Sequence, residues 1–312
     1  MNGKSVTAFA PASVANVGLG FDFMGFALRG AGDRVTVAFS EDGEETSIRM
    51  SGDYGPLIPE DPEKNTAGVA VYAFLRAKGC TGINLKIGLE KNLPLGSGLG
   101  SSASSSAAAL FALNELLGNP FTTEELIPFA MEGERIACGT AHADNVAPSL
   151  LGGFVVIRSY DPLDIIRVRC PDDLYCSVIH PHIQVKTSDA RRILKRDIPL
   201  SDVTKQCANV AAFITGILTE DYRLMGRSMD DLLAEPKRIQ LIPGFELVKK
   251  AAIESGAIGC GISGSGPSVF ALCKGEAASH LVADAMKKSL SRTGMDSDIL
   301  ISPLNAEGAS LV

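Results

Sequence analysis

The chain has 312 residues, 46% of them hydrophobic and 21% charged, enough apolar material for more than one hydrophobic nucleus and so for two domains. Lysines and arginines number 29 against 36 aspartates and glutamates, a formal net charge of −7, so no broad basic surface is available to neutralise a polynucleotide and nucleic acid is not an expected partner. The seven cysteines are scattered and never form Cys-x-x-Cys, which argues against a disulfide framework or a thiolate zinc site and for reduced thiols in the cytoplasm.

Residues 1–30 lack a basic segment leading into an unbroken apolar run, so they read as part of the fold and not as a leader. Strand character, β-branched and alternating, marks residues 5–9, 34–39 and 83–89, and helical composition marks 67–78 and 102–117. The second of these helices is the most apolar part of the chain. Asn114 and Glu115 interrupt its apolar run, 107–117, which is about half of the ~20 residues a membrane span needs, so no membrane partner is expected. It stops at Gly118-Asn119-Pro120, and Thr122-Thr123-Glu124-Glu125 is a capping box for a further helix toward Ile136. A strand follows the Gly152-Gly153 turn, and Asp161-Pro162 breaks it. Beyond that break strands are expected at 175–179 and 268–273 and helices at 203–218, 245–255 and 276–290, an α+β second half. The division is expected after residue 165, giving domains of 1–165 and 166–312.

The most informative stretch is Pro94-Leu95-Gly96-Ser97-Gly98-Leu99-Gly100-Ser101-Ser102-Ala103-Ser104, running through two more serines into the apolar helix. Glycines at alternate positions let the backbone approach a ligand and turn successive N–H groups inward, and the helix start adds free amides and a positive dipole end. A polyphosphate suits such a loop, and the serine hydroxyls can cap the helix or hold Mg²⁺. A plain glycine turn before a serine-capped helix is the simpler explanation, but the length and glycine density argue against it. Residues 98–103 also fit the G-x-G-x-x-A dinucleotide pattern; the acids about 20 positions on, Glu124 and Glu125, open a helix where that fold requires a strand end. The sole Gly-Lys-Ser, at residues 3–5, is too close to the start for a Walker A loop.

Three segments together resemble the GHMP kinases (galactokinase, homoserine kinase, mevalonate kinase, phosphomevalonate kinase). They are Pro11-Ala12-Ser13-Val14-Ala15-Asn16-Val17-Gly18-Leu19-Gly20-Phe21-Asp22, the 94–106 loop, and Gly261-Ile262-Ser263-Gly264-Ser265-Gly266-Pro267-Ser268. Within the superfamily, the form of the first segment, His142-Ala143-Asp144-Asn145-Val146-Ala147-Pro148 and Glu235-Pro236-Lys237-Arg238 are similar to the homoserine kinase branch. The resemblance implies an α+β fold of two domains, an N-terminal domain like domain 2 of ribosomal protein S5 with a left-handed βαβ unit and a ferredoxin-like C-terminal domain, with the site between them. It implies ATP and Mg²⁺ as cofactors and phosphorylation of the L-homoserine hydroxyl, a step of threonine biosynthesis.

By the same resemblance the 94–104 loop binds ATP, Asn65 lies near adenine, and Ser102 and Glu134 bind Mg²⁺, with Ser102, Glu134 and Asp22 as the catalytic group. Hydroxyl and carboxylate oxygens are the hard ligands Mg²⁺ prefers. Arg191 and Arg238 would clamp the acceptor carboxylate with planar forks. Asn16, Asp22, His142 and Asp144 would hold its ammonium and hydroxyl, with Thr187 and Gly264 closing the pocket. Arg192, His180 and His182 read as ordinary structural or surface residues. Other branches carry a lysine and an aspartate where this chain has Ser13 and Asn145, which leaves Asp22 or Asp144 as the only acids for the acceptor; Asp22 is expected to orient the hydroxyl while the proton leaves late. A different small alcohol, or nucleotide binding without transfer, are the competing readings. A homodimer is expected.

Overall fold

The structure is a computed structural model that describes residues 4–41, 44–80, 82–195 and 197–312 and all of their side chains except those of Ala137 and Cys138. Gly3 and the Cys138 thiol therefore lie outside the described set. The other six cysteines are free thiols.

The first half contains β1 (Ser5–Ala15), β2 (Met24–Phe39), β3 (Ser47–Ser51), α1 (Thr66–Lys78), β4 (Leu85–Glu90), α2 (Ser101–Leu116), α3 (Ile127–Cys138), α4 (Val146–Leu151), β5 (Phe154–Tyr160) and β6 (Leu163–Val168). The second contains β7 (Leu174–Pro181), α5 (Thr187–Arg192), α6 (Leu200–Leu218), α7 (Tyr222–Ser228), α8 (Glu235–Arg238), α9 (Phe245–Glu254), β8 (Gly259–Ile262), β9 (Val269–Lys274), α10 (Glu276–Ser291), β10 (Ser297–Pro303) and β11 (Ser310–Leu311). Each element expected from the sequence is present, most of them close to the expected ends. The exceptions are strands that run on beyond the expected stretch, chiefly β1 and β2.

One sheet runs β11-β1-β2-β4-β3, with β5 on the far part of β2 and β6 beyond it. β3 and β4 are parallel and joined through α1, a βαβ unit; the other described pairs in this sheet are antiparallel. The second sheet is antiparallel in the order β10-β7-β9-β8. With helices between its first and second and its third and fourth strands, this is the ferredoxin-like arrangement.

α2 shows why its serines and alanines are there. It is buried along almost its whole length among α1, α3, β1 and β2, so small side chains are needed on every face for neighbours to approach. The capping box forms with both of its halves: Glu125 N donates to Thr122 Oγ1 at 3.3 Å, and Thr122 N to Glu125 Oε2 at 2.8 Å. It opens a 3₁₀ turn, Glu124–Leu126, that leads into α3.

The expected division after residue 165 falls inside β6, which pairs with β5. We propose that the domains divide between β6 and β7, with β11 returning to the first sheet. The two sheets share one core: Phe26 of β2 stacks on Phe154 of β5 at 6.3 Å and meets Phe270 of β9 edge-on at 6.1 Å. Phe26 is fully buried. Phe26→Ala should therefore cost about 3–5 kcal/mol, read as a lower denaturation midpoint that both domains share; loss of one domain's signal alone would contradict the shared core.

Candidate active site

The cavity between the two sheets, about 470 Å³, is lined by residues from the first segment, the glycine loop, the His142 segment, α5 and the third segment. Gly96, Gly98 and Gly100 have φ of 60°, 76° and 65°, left-handed values that glycine adopts without strain. They also lack room for a side chain. A Cβ on Gly98 would lie 2.5 Å from Ser263 O and 2.8 Å from Gly266 O, and one on Gly100 would lie 2.2 Å from Ser13 Oγ.

The loop's carbonyls are paired with neighbouring segments. Gly96 O accepts from Val185 N (3.1 Å), Ser97 O from Ser268 N (3.2 Å), Gly98 O from Ser263 Oγ (2.6 Å) and Leu99 O from Ser13 N (3.1 Å). α2 begins after Gly100 without a side-chain cap, and the amides of a first helical turn have no partner within the helix. The result is a positive helix end presented to the cavity.

Most of the serines at this helix start are committed elsewhere. Ser101 Oγ donates to Leu93 O at 3.1 Å, Ser104 Oγ to Ala10 O at 2.7 Å and Ser105 Oγ to Asp33 Oδ2 at 2.7 Å. Ser102 is half-buried and lines the cavity, as does buried Glu134. Leu95, Gly96, Ser97, Gly98, Gly100 and Ser101 also line the cavity. Leu99 and Ala103 are packed into the two cores, and Pro94 is outside the lining. Asn65 is buried and serves as the cap of α1: its Oδ1 accepts from Ala67 N at 3.0 Å and its Nδ2 donates to Pro59 O at 2.8 Å. It thus holds the wall formed by Leu57, Ile58 and Pro59 and does not itself face the cavity.

At the opposite end, Arg191 and Asp22 form a two-pronged ion pair with N–O distances of 2.6 and 3.0 Å. The Arg191 and Arg238 guanidiniums lie 5.5 and 5.2 Å from the centre of the same Phe21 ring, within cation–π range. Arg238 is buried, donating from Nη1 to Gly264 O at 2.7 Å, and Asn16 Nδ2 reaches the same oxygen at 2.9 Å. Burial, and then the charge of Arg191, pull the Arg238 pKa down. Asn16 Oδ1 accepts from Asp22 N at 2.9 Å. Asn16, Val17 and Asp22 have φ of 66°, 47° and 64°, strained for non-glycine residues and most of all for a β-branched valine.

His142 Nδ1 is 3.7 Å from Asp22 Oδ2, and its Nε2 is 2.7 Å from Thr140 Oγ1. Burial depresses its pKa more than Asp22 raises it. Asp144 is buried, and desolvation, followed by the charges of Asp22 and Glu134, pushes its carboxyl up to about 7. Thr187 Oγ1 lies 3.4 Å from Ser265 Oγ, and Gly264 lines the cavity between them and Asn16. Ser13 Oγ donates to Asn145 Oδ1 at 2.8 Å, so the two positions noted in the sequence face each other as a neutral pair.

Known proteins match this arrangement along its whole length. The model of the GHMP kinases N-terminal domain matches residues 65–153 and that of the GHMP kinases C-terminal domain residues 213–292. The chain belongs to the GHMP kinase family. A homoserine kinase from Chloroherpeton thalassium is 51% identical, covering 99% of this chain and 100% of its own, and one from Xanthomonas campestris is 37% identical over 99% and 94%. The crystal structure of a homoserine kinase from Cytophaga hutchinsonii superposes with a TM-score of 0.96 at 47% identity, covering 100% of this chain and 98% of that one. A Staphylococcus aureus mevalonate kinase, at 19% identity and a TM-score of 0.62, shares the fold.

Among features of this GHMP kinase that the sequence reading passed over, Phe21 stands directly before Asp22 and could have been marked from its place in the first segment. Tyr160 could not. Its OH donates to Asp22 O at 2.6 Å and accepts from Ala143 N at 3.2 Å, a bridge between segments far apart in the chain. Lys91 gave no signal either, because a lysine just before a glycine loop reads as a surface charge, and the partner that accompanies its burial, Asp33, comes from β2.

Asp144 takes its proton near pH 7 in the fold and near ~3.9 when unfolded. The ligand-free protein therefore loses stability as pH rises through that window, and the full cost is present above it. Asp144→Asn should be more stable than the parent at pH 8 by up to roughly 4 kcal/mol, with a smaller gain at pH 5.5. Denaturant unfolding at the two pH values checks this; a gap independent of pH would show that the carboxyl is ionised throughout.

Proposed function

We propose that this GHMP kinase transfers the γ-phosphoryl group of ATP to the hydroxyl of L-homoserine, giving O-phospho-L-homoserine for threonine biosynthesis. The observation that carries the choice of acceptor is the pair of guanidiniums, Arg191 and Arg238, converging over Phe21 beside Asp22. Planar forks suit a carboxylate, and an acid next to them suits an ammonium. Mevalonate has the carboxylate and no ammonium, and would leave Asp22 without a partner once Arg191 turned to the ligand.

The phosphates are received by the amides of residues 96–102 and the start of α2. Ser102 and Glu134 fit a hard cation: both line the cavity as oxygen donors, and among the described residues there is no cluster of three or more His, Cys, Asp or Glu that would form an all-protein metal cage. They would hold Mg²⁺, which when bound neutralises charge on the phosphate oxygens. The base is received between Leu57, Ile58 and Pro59 on one side and Ile136 on the other, apolar side chains that line the cavity mouth.

Phosphoryl transfer with a loose transition state needs alignment more than a strong base. Asp22, fixed by Asn16 and Tyr160, takes the acceptor ammonium with one carboxylate oxygen and orients the acceptor hydroxyl with the other. As the acceptor carboxylate takes over the Arg191 fork, Asp22 is released to the substrate. The neutral Ser13–Asn145 pair contributes no charged base. We further assign the enzyme to the cytoplasm as a homodimer. No helix among the described residues is long and apolar enough to cross a membrane.

A coupled ATP assay across L-homoserine, L-serine, mevalonate and 4-hydroxybutyrate should show L-homoserine preferred by at least ~100-fold in kcat/KM; equal turnover of 4-hydroxybutyrate would overturn the assignment. Arg191→Ala should weaken L-homoserine binding by about 2–5 kcal/mol and leave ATP affinity within a few-fold in calorimetric titrations. Parallel loss of both affinities would remove Arg191 from the acceptor site.

A further inference from the structure

We propose that Lys91 is a positioning residue for the nucleotide: through a buried ion pair with Asp33 it sets the first turn of α2, and with it the amides and the Ser102 hydroxyl that meet the phosphates. This rests on the nucleotide reading of the cavity. Lys91 is 1% exposed and Asp33 0%. Asp33 Oδ1 accepts from Asn92 N at 2.9 Å and Leu93 N at 3.2 Å, while its Oδ2 accepts from Ser105 Oγ at 2.7 Å and from Lys91 Nζ. Lys91 Nζ also donates to Ser105 Oγ at 2.9 Å and to the carbonyl oxygen of Ser101.

Three segments are thereby joined at one buried point: β2, the stretch leading into the glycine loop, and the first turn of α2. Ser101 is the first residue of that helix, so the lysine grips the backbone one peptide away from Ser102. Lys91 and Glu134 are both among the residues that line the cavity. A fully buried ion pair is a poor stabiliser, because apolar residues of similar volume hold a core as well or better. A fixed backbone geometry at the phosphate end is what this pair supplies and an apolar pair would not.

The test uses the full chain with Mg²⁺ and the non-hydrolysable analogue β,γ-imido-ATP in calorimetry, L-homoserine in a parallel titration, and thermal unfolding. Lys91→Met combined with Asp33→Leu should keep a melting temperature close to the parent's, weaken the analogue about 10- to 100-fold and leave L-homoserine affinity within about threefold. Ser105→Ala removes one contact to each ion without burying a lone charge, and should weaken the analogue about three- to tenfold. If the double variant does not fold, Ser105→Ala decides. Unchanged analogue affinity in a folded double variant, or in Ser105→Ala, would make the pair purely structural and overturn this inference alone. A parent chain that fails to bind the analogue would overturn the nucleotide reading, and this inference with it.

Discussion

The site depends on a backbone approach that tolerates no side chain. Residues 96–100 are wedged between the first and third segments, with Gly98 against the carbonyls of Ser263 and Gly266 and Gly100 against Ser13. Their carbonyls are paired with those same segments and with Val185. The uncapped start of α2 follows directly on this packed loop. An anion received at this loop, as proposed, would meet packed main chain whose geometry the fold itself sets.

Charge in the cavity is arranged as opposed groups. Three acids, Asp22, Asp144 and Glu134, and five bases, Lys64, Lys91, Lys186, Arg191 and Arg238, line one cleft. Direct ion pairs join Asp22 with Arg191 and Asp33 with Lys91. Asp144 makes no ion pair among the described residues, and its raised pKa records the cost of a buried acid beside two others. A ligand bringing one carboxylate and one ammonium redistributes these pairings without changing the net charge of the cleft.

Much of this was legible in the chain. Helical composition marked 102–117, which forms as α2, the Thr122–Glu125 box appears with both hydrogen bonds in place, and the alternate glycines indicated a backbone receptor. Ser102 and Glu134 both line the cavity, and Arg191 and Arg238 lie over one ring. What local pattern could not supply was the fate of individual polar atoms. Asn65 is spent on capping α1, Ser104 on Ala10, and Arg191 on Asp22 across more than half the length of the chain.

The residues themselves determined the kind of chemistry, because glycine spacing, hydroxyls and planar cations carry their bonding preferences wherever they are placed. Tertiary structure alone decided which of those groups is available to a ligand, since a hydroxyl or a fork that meets a partner inside the fold is no longer on offer. Lys91 and Asp33, distant in sequence and sealed together beneath the loop, show the difference most plainly: burial and pairing are relations between segments, and no single segment contains them.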